Sequence, residues 1–137
     1  MSDLSIRLES GQGDTVYEQI ARQIRSRIVS GDLPPGFPLP PVRTLASDLG
    51  VNLNTVARAY RLLEDEGFVR IRDRSGAEVA APREETSADA GERFREELRS
   101  VLARMRQAGM RPEEIRRAAE AEIAALAGAR GREGSRG

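Results

Sequence analysis

The chain has 137 residues, enough for one modest core with an appended element, and its 22 basic and 22 acidic side chains cancel to a formal net charge of zero. It has no Cys and no His, so it lacks thiol nucleophiles, disulfides, histidine general bases and the usual metal ligands, and we expect neither a metal nor a cofactor. No apolar run approaches the roughly 18 residues of a membrane span and residues 1–10 lack a signal-peptide pattern, so we expect a soluble, cytoplasmic protein.

The charges are evenly distributed along the chain. Residues 1–82 carry 10 Arg against 11 acids, and residues 83–137 carry 12 Arg against 11 acids. Because neither half is a basic block, a surface for nucleic acid would have to be a local patch. Each protomer would then bind modestly, which favours dimerisation.

The first predicted elements are a short strand and a helix. Residues 4–8 alternate apolar and polar side chains, as a strand does. A helix follows to about Ser30, capped by the side-chain oxygen of either Asp14 or Thr15, and Gly31 suits the left-handed position after its end. Its apolar face is predicted to contain Val16, Tyr17, Ile20, Ala21, Ile24 and Ile28.

A proline-rich connector leads to a second helix. Five of the seven prolines lie within residues 34–41, and since proline fixes φ this segment must be stiff, holding its two flanking helices at a set angle. The second helix is predicted over Pro41 to Leu49, with Gly50 at its end. The residues expected to face inward are Val42, Leu45, Ala46 and Leu49.

The third predicted helix carries the polar groups that indicate DNA binding. It runs from Leu53 to Glu66 with Asn52 as its cap, and its buried face is predicted to be Val56, Ala59, Tyr60 and Leu63. Outside this face lie Asn52, Asn54, Thr55 and Arg58, the side chains predicted to contact DNA. Short polar side chains at a helix start, followed one turn later by arginine, are typical of a helix that enters the major groove. Arg61 is equally well explained as part of a solvated face.

A hairpin is predicted next. Residues 68–72 and 77–80 alternate as strands around a turn at residues 73–76. A hairpin after a helix-turn-helix is a wing, and we expect Arg72 or Arg74 to reach phosphates or the minor groove. The alternative is that these arginines only keep an exposed strand edge soluble.

The remaining chain is predicted to dimerise. Residues 82–90 are a polar linker, residues 91–128 two helices separated near Gly109 and Pro112, and residues 129–137 a disordered tail. Two antiparallel helices cannot cover their own apolar stripes, so they must pack on the first domain or, as we prefer, on a partner. The dimerisation residues are predicted to be Phe94, Leu98, Val101, Leu102, Met105, Ile115, Ala119, Ile123 and Leu126.

The runs YEQIARQIRSRIVSGDLPPG and LPPVRTLASDLGVNLNTVARAYRLLEDEGFV, followed by the hairpin, resemble the winged-helix domain of the GntR family of bacterial transcription regulators. The short helical C-terminal part resembles the YtrA-like subgroup. The fold is therefore expected to be mainly α with a small β-hairpin: a winged helix-turn-helix over residues 1–81, then a two-helix dimerisation element. The resemblance implies a homodimer, usually a repressor, on a palindromic operator, often that of an ATP-driven transporter operon. It leaves open whether there is a small-molecule effector.

The resemblance also assigns residues. Arg43 matches the family's base-contacting arginine, and we include Thr44 beside it. Leu53 and Ala57 stand where some relatives place base-reading arginines, so base contacts at these two positions must be apolar, for example to a thymine methyl group, or absent.

Three positions depart from the family pattern. Pro41 replaces the usual capping serine, a loss of about 1 kcal/mol that proline at the first helical position partly offsets. At the wing, Gly76, which we include among the DNA-binding residues, matches one family glycine, and Arg74 replaces another. Glu78 replaces an aromatic residue and is predicted to pair with a neighbouring arginine.

Two other functions remain as alternatives. A winged helix can act as a protein adaptor without DNA binding, which the zero net charge slightly favours and the third helix disfavours. An enzyme using carboxylates alone is the weaker alternative, because no motif gathers acids in a cleft.

Overall fold

A computed structural model of the chain describes residues 4–9, 13–73 and 76–134, with residues 127–134 described by their backbone alone. The chain divides into two compact units, Met1–Pro82 and Arg83–Gly137. The break lies next to residue 81, where the sequence predicts the first domain to end. Within the described residues, no helix is both long enough and apolar enough to span a bilayer.

The first helix, α1, spans Val16–Val29 and begins with a reciprocal cap. Thr15, one of the two predicted caps, accepts a 3.2 Å hydrogen bond from the Glu18 amide, while its own amide donates to the Glu18 carboxylate at 2.8 Å. Two of the free amides at the helix start are thereby satisfied. Gly31 has a φ of 89°, in the left-handed region predicted for it.

The predicted strand at residues 4–8 is wrong. The alternation does place Leu4, Ile6 and Leu8 against the core, but none of the strands in the described part of the chain pairs with this segment. Two glutamines of α1 take the place of the missing partner. Gln23 bonds both the amide and the carbonyl of Arg7, at 3.0 and 2.7 Å, and Gln19 bonds those of Glu9, at 2.8 and 2.7 Å.

A three-stranded antiparallel sheet follows the order β1-β3-β2, where β1 is Pro38–Leu39, β2 is Val69–Arg72 and β3 is Gly76–Val79. The hairpin of β2 and β3 confirms the wing predicted from the sequence. The strand β1, which was not predicted, pairs Leu39 with Ala77 and lies in the proline-rich connector. Proline is tolerated there because β1 is an edge strand.

The helices α2 (Val42–Leu49) and α3 (Leu53–Asp65) form the predicted helix-turn-helix. The sequence predicts Pro41 as the first residue of α2. In the structure Pro41 is instead the N-cap, and its side chain makes no capping hydrogen bond. The core of this unit is built from α1, α2, α3 and the sheet. It contains all four residues predicted for the buried face of α3, together with Ile20, Ala21, Ile24, Leu33, Leu39, Leu45, Ala46, Val69, Ala77 and Val79.

Two residues of α1 depart from its predicted apolar pattern. Val16, at the open start of the helix, is 38% exposed. Gln19 is buried instead, because its amide is occupied by the backbone of the N-terminal segment.

The second unit consists of α4 (Ala88–Gln107) and α5 (Pro112–Gly134), the two helices predicted for it. Ser87 caps α4 by accepting a 3.1 Å hydrogen bond from the Ala90 amide. The helix α5 continues past Gly128, where the sequence predicts the ordered chain to end, and residues 135–137 of the predicted tail lie outside the described residues. Alanine, arginine and glutamate favour this extension and no proline interrupts it, but the glycines within it disfavour a helix, so helix propensity alone does not explain the added length.

Candidate nucleic-acid interface

The turn between α2 and α3 determines which side chains the second of these helices exposes. Gly50 adopts a φ of 69°, and the amide of Val51 donates to the carbonyl of Ala46 at 3.0 Å, so the chain reverses immediately. The Asn52 side chain then accepts a 2.7 Å hydrogen bond from the Asn54 amide and begins α3. This cap, predicted from the sequence, uses the side-chain oxygen of Asn52, and the residue itself is exposed.

The face of α3 opposite the core carries mostly polar side chains, together with one exposed leucine at the start of the helix. Asn54, Arg58 and Arg61 are exposed, and Thr55 is half-buried. Leu53 is 41% exposed, unusually open for a leucine at the first position of a packed helix. Among the residues that the structure describes, Arg61 has no ion-pair partner, as expected for either a solvated or a phosphate-contacting side chain.

Arg58 is held by an aromatic ring. Its guanidinium carbon lies 4.0 Å from the centroid of the Tyr17 ring, which stands on the first turn of α1. Nearby, hydrogen bonds from the Thr15 amide and then its hydroxyl lower the pKa of Glu18, and the charge of Arg58 acts in the same direction. Arg58 is therefore linked to α1 by the contact of its guanidinium group with the Tyr17 ring and by electrostatic attraction to Glu18.

The residue before α2 and the turn end of the wing lie close together. Arg43 and Thr44 lie exposed on the first turn of α2. Gly76, the first residue of β3, approaches this turn so closely that a β-carbon built on it would lie 3.4 Å from the Cα of Pro41. Glycine here also accommodates a φ of 92°. The predicted DNA-binding residues Arg43, Thr44 and Gly76 are thus brought together at one end of the helix-turn-helix.

On the wing, Glu78 lies between two arginines. The Nε and Nη2 of Arg72 donate to its two oxygens at 3.1 and 3.3 Å, and the Nη1 of Arg70 lies 3.6 Å from Oε2. This arrangement confirms the predicted pairing of Glu78 with a neighbouring arginine. Arg74, also predicted to bind DNA, lies outside the described residues.

Two acids at the C-terminal end of α3, Glu64 and the C-cap Glu66, have structural partners. The Glu64 carboxylate accepts a 3.0 Å hydrogen bond from the Ile71 amide, and Glu66 pairs with Arg25 at 2.8 Å. The Arg25 guanidinium also lies 5.8 Å from the Phe68 ring centroid. Glu64 and Glu66 follow Arg58 by six and eight residues, which is more than one turn of helix. The zero net charge of the chain is therefore compatible with a basic start to α3.

Sequence reasoning assigned Tyr17 only to the core of α1. The structure shows it half-buried and under Arg58, which lies far from it in the sequence. The only available signal was its position at the end of the apolar stripe, where a large ring can remain partly exposed.

In the second unit the predicted dimerisation stripe is open. Phe94 is 66% exposed, Leu98 56% and Ile123 62%. The other members are exposed or half-buried: Val101, Leu102, Met105, Ile115, Ala119 and Leu126. Along α4, which is described throughout, no residue is buried. A contiguous apolar stripe of this kind is typical of a surface that packs against another chain.

The known proteins to which this chain is similar are described as transcriptional regulators. The family model described as "Bacterial regulatory proteins, gntR family" matches residues 16–79. The chain is 43% identical over 75 residues to the HTH-type transcriptional regulator Rv1152 of Mycobacterium tuberculosis, of which it covers 62%. It is 36% identical to the uncharacterized HTH-type transcriptional regulator YhcF of Bacillus subtilis, where the match covers 73% of this chain and 83% of YhcF.

Two further proteins extend the likeness to the helical part. The HTH-type transcriptional repressor YtrA of Bacillus subtilis is 29% identical, with 80% of this chain and 85% of YtrA covered. The solved structure of YtrA from Sulfolobus acidocaldarius, described as a GntR-family transcription factor, is 37% identical and superposes with a TM-score of 0.60, covering 72% of this chain and 94% of that one.

Proposed function

The chain belongs to the GntR family of bacterial regulatory proteins and resembles its YtrA-like members, and from that premise we propose that it is a homodimeric transcriptional repressor that binds a palindromic operator. Its relatives are transcriptional regulators and not enzymes. A regulator of this kind acts on the chromosome, so we assign it to the cytoplasm.

The observation that carries the proposal is the exposed first half of α3. Asn54 and Arg58 lie opposite the buried Val56, Ala59 and Tyr60, so the core holds the helix while its polar side stays open. A helix presented in this way fits the major groove, where arginine can donate two hydrogen bonds to guanine and asparagine can pair with adenine. Leu53 would contact a thymine methyl group.

Arg43 and the wing would complete the contact. We propose that Arg43 reads a base edge from the start of α2 and that Thr44, beside it, binds a phosphate. Arg72 would bind phosphates from the wing after exchanging its Glu78 partner for DNA oxygens. Phosphate contacts would orient the domain, and base contacts would supply the sequence preference.

We propose that α4 and α5 form the dimer. Phe94, Leu98 and Ile123 are too exposed for the core of a monomer. Along α4 and its C-cap the apolar positions 94, 98, 101, 105 and 108 alternate steps of four and three, the spacing used between paired helices. Two recognition helices about one turn of DNA apart, roughly 10 bp, would require an inverted repeat. From the resemblance to YtrA-like regulators, the controlled genes would be an operon for an ATP-driven membrane transporter.

The proposal is tested by selecting bound fragments from genomic DNA and measuring gel retardation of a recovered fragment at several salt concentrations. We expect an inverted repeat, retention that weakens steeply as salt rises, and tighter binding than to random duplex. Retention that is absent at low salt would favour a winged-helix adaptor instead.

A further inference from the structure

The contact between Tyr17 and Arg58 joins α1 to α3, whereas the DNA contacts proposed above come from α2, α3 and the wing. Tyr17 belongs to α1, whereas Arg58 belongs to the helix proposed to enter the groove. The Arg58 guanidinium carbon lies over the ring, 4.0 Å from its centroid. A cation at this distance from a tyrosine ring is attracted by the negative face of the π system.

Among the described residues, no hydrogen-bond or ion-pair partner occupies the N–H donors of Arg58. A guanidinium carbon 4.0 Å from the ring centroid fits a face-to-face stack, in which the five N–H donors lie in the guanidinium plane and point away from the ring. A guanine edge or a phosphate can therefore bind without breaking the stack. An ion pair with a carboxylate would have the opposite effect, because it occupies the same donors.

The neighbouring acid is placed so that it does not occupy those donors. The Glu18 Oε1 accepts hydrogen bonds from the Thr15 amide and the Thr15 hydroxyl, at 2.8 and 3.0 Å. Among the described residues no ion pair joins Glu18 and Arg58, and the two interact only by longer-range attraction. The capping box at the start of α1 thus keeps Glu18 engaged and leaves Arg58 to the ring.

The ring itself rests on a fixed base. Tyr17 is half-buried and packs against the core, next to the fully buried Ile20 and Ala21 of the same helix. An exposed arginine loses much of its rotamer freedom when it binds, and holding it in place beforehand lowers that cost.

We propose that Tyr17 is a positioning residue for DNA recognition: its ring holds the Arg58 guanidinium flat and directs its N–H edge toward a base in the major groove. This inference rests on the proposed function and assigns α1 a part in it. It predicts that the contribution of Tyr17 is selective for the operator and requires Arg58.

The test uses the full-length chain with Tyr17→Leu, which removes the π face, and Tyr17→Phe, which retains it, each alone and combined with Arg58→Ala. Dissociation constants are measured for the selected operator and for a random duplex of equal length. We expect Tyr17→Leu to weaken operator binding by about two- to fivefold, the loss of one exposed cation–π contact, with random binding unchanged. Tyr17→Phe should remain within about twofold of wild type, and Tyr17→Leu should cause no further loss once Arg58 is alanine.

Equal losses on both duplexes, equal effects of the Phe and Leu variants, or additive losses with Arg58→Ala would each overturn the inference. If wild type binds no DNA, the proposed function itself fails, whereas wild-type binding with an unselective Tyr17→Leu variant refutes only this inference. Should Tyr17→Leu not fold, NMR of wild type and Tyr17→Phe decides. An upfield ring-current shift of the Arg58 side-chain protons is expected in both, and its absence in either overturns the stack.

Discussion

The phenol of Tyr60 donates a 2.6 Å hydrogen bond to the carbonyl oxygen of Pro40. Tyr60 lies in the middle of α3 and is 1% exposed, and Pro40 immediately precedes the cap of α2. The bond therefore ties the recognition helix to the rigid segment that enters its partner helix. A stiff proline segment bonded at this point sets the angle between the two helices more firmly than apolar packing alone.

Burial raises the pKa of Tyr60 above its ordinary value of 10.0, which predicts a loss of stability at alkaline pH. Above about pH 10 the unfolded chain ionises this phenol while the folded chain cannot. The unfolded state then binds fewer protons, so the free energy of unfolding falls as pH rises, by up to about 1.4 kcal/mol per pH unit from this group. Urea unfolding between pH 9 and about 11 measures the slope.

Tyr60→Phe should remove this contribution to the alkaline slope and cost about 1 kcal/mol at neutral pH, because the Pro40 carbonyl loses its partner. The chain has one other tyrosine and no lysine, so few groups titrate in this range. Tyr17→Phe is the matched control and should retain the slope. An unchanged slope in Tyr60→Phe would mean that the phenol is not buried in solution.

The N-terminal segment gives a second prediction, based on two glutamines that make the same bonds at different depths. Gln19 is buried and bonds the Glu9 backbone, whereas Gln23 bonds the Arg7 backbone at an exposed site. Gln19→Leu should reduce the free energy of unfolding by about 1–3 kcal/mol, since the freed backbone groups lose their partners away from water. Gln23→Leu should cost less than about 1 kcal/mol, because water can replace the side chain. Equal costs would contradict this difference in solvation.

How far the sequence predicts this molecule depends on whether the information is local. The buried face of α3 and the Asn52 cap follow from periodicity and from short-range hydrogen bonding, and both are confirmed. The strand at residues 4–8 was wrong for a non-local reason: alternation predicts which side chains face inward but cannot predict whether another strand is available to pair.

The candidate site shows the same division. The exposure of Asn54 and Arg58 could be predicted from the helical period. That Arg58 would lie on Tyr17, and that Gly76 would touch Pro41, could not, because each contact joins distant segments through the packing of the whole domain. The strand β1 escaped prediction because proline is usually excluded from strands and only an edge position allows it.

Arg43 and Arg72 should respond differently to removal if one reads bases and the other binds phosphates. Arg43→Ala should weaken operator binding by roughly 1–3 kcal/mol and reduce the preference for operator over random duplex. Arg72→Ala should weaken both to the same degree and lower the magnitude of the salt slope by about one. Fluorescence anisotropy on both duplexes over a salt series distinguishes them. If Arg43→Ala lost affinity equally on both, Arg43 would have to be reassigned to a phosphate.

Because the apolar stripe of the second unit is exposed, we expect a dimer that a charged substitution within the stripe would disrupt. Leu98→Glu places a carboxylate in the middle of the stripe and should convert a dimer, twice the 15.0 kDa chain, into a monomer that binds the operator weakly. Light scattering after gel filtration gives the mass. Arg95→Ala, on the same helix outside the stripe, is the control and should leave the dimer intact. A Leu98→Glu protein that remains dimeric would locate the interface elsewhere.

Replacing Glu78 is expected to increase the affinity of the protein for DNA. Its carboxylate holds Arg72 by two hydrogen bonds and lies near Arg70, so a phosphate must compete with it for the wing. Glu78→Gln removes the competing charge and should tighten binding to operator and random duplex alike, with a steeper salt dependence as the arginines neutralise phosphates more fully. The lost surface ion pairs should cost less than about 1 kcal/mol in stability.

The matched control is Glu66→Gln, the same change of charge at a carboxylate that pairs with Arg25 in the same domain. If both variants tighten binding equally, the effect is one of net charge only, and if neither does, the wing arginines lie away from the phosphates. Tighter binding for Glu78→Gln alone would establish that the wild-type wing gives up affinity for all DNA, which leaves the base contacts of α3 a larger share in choosing the operator.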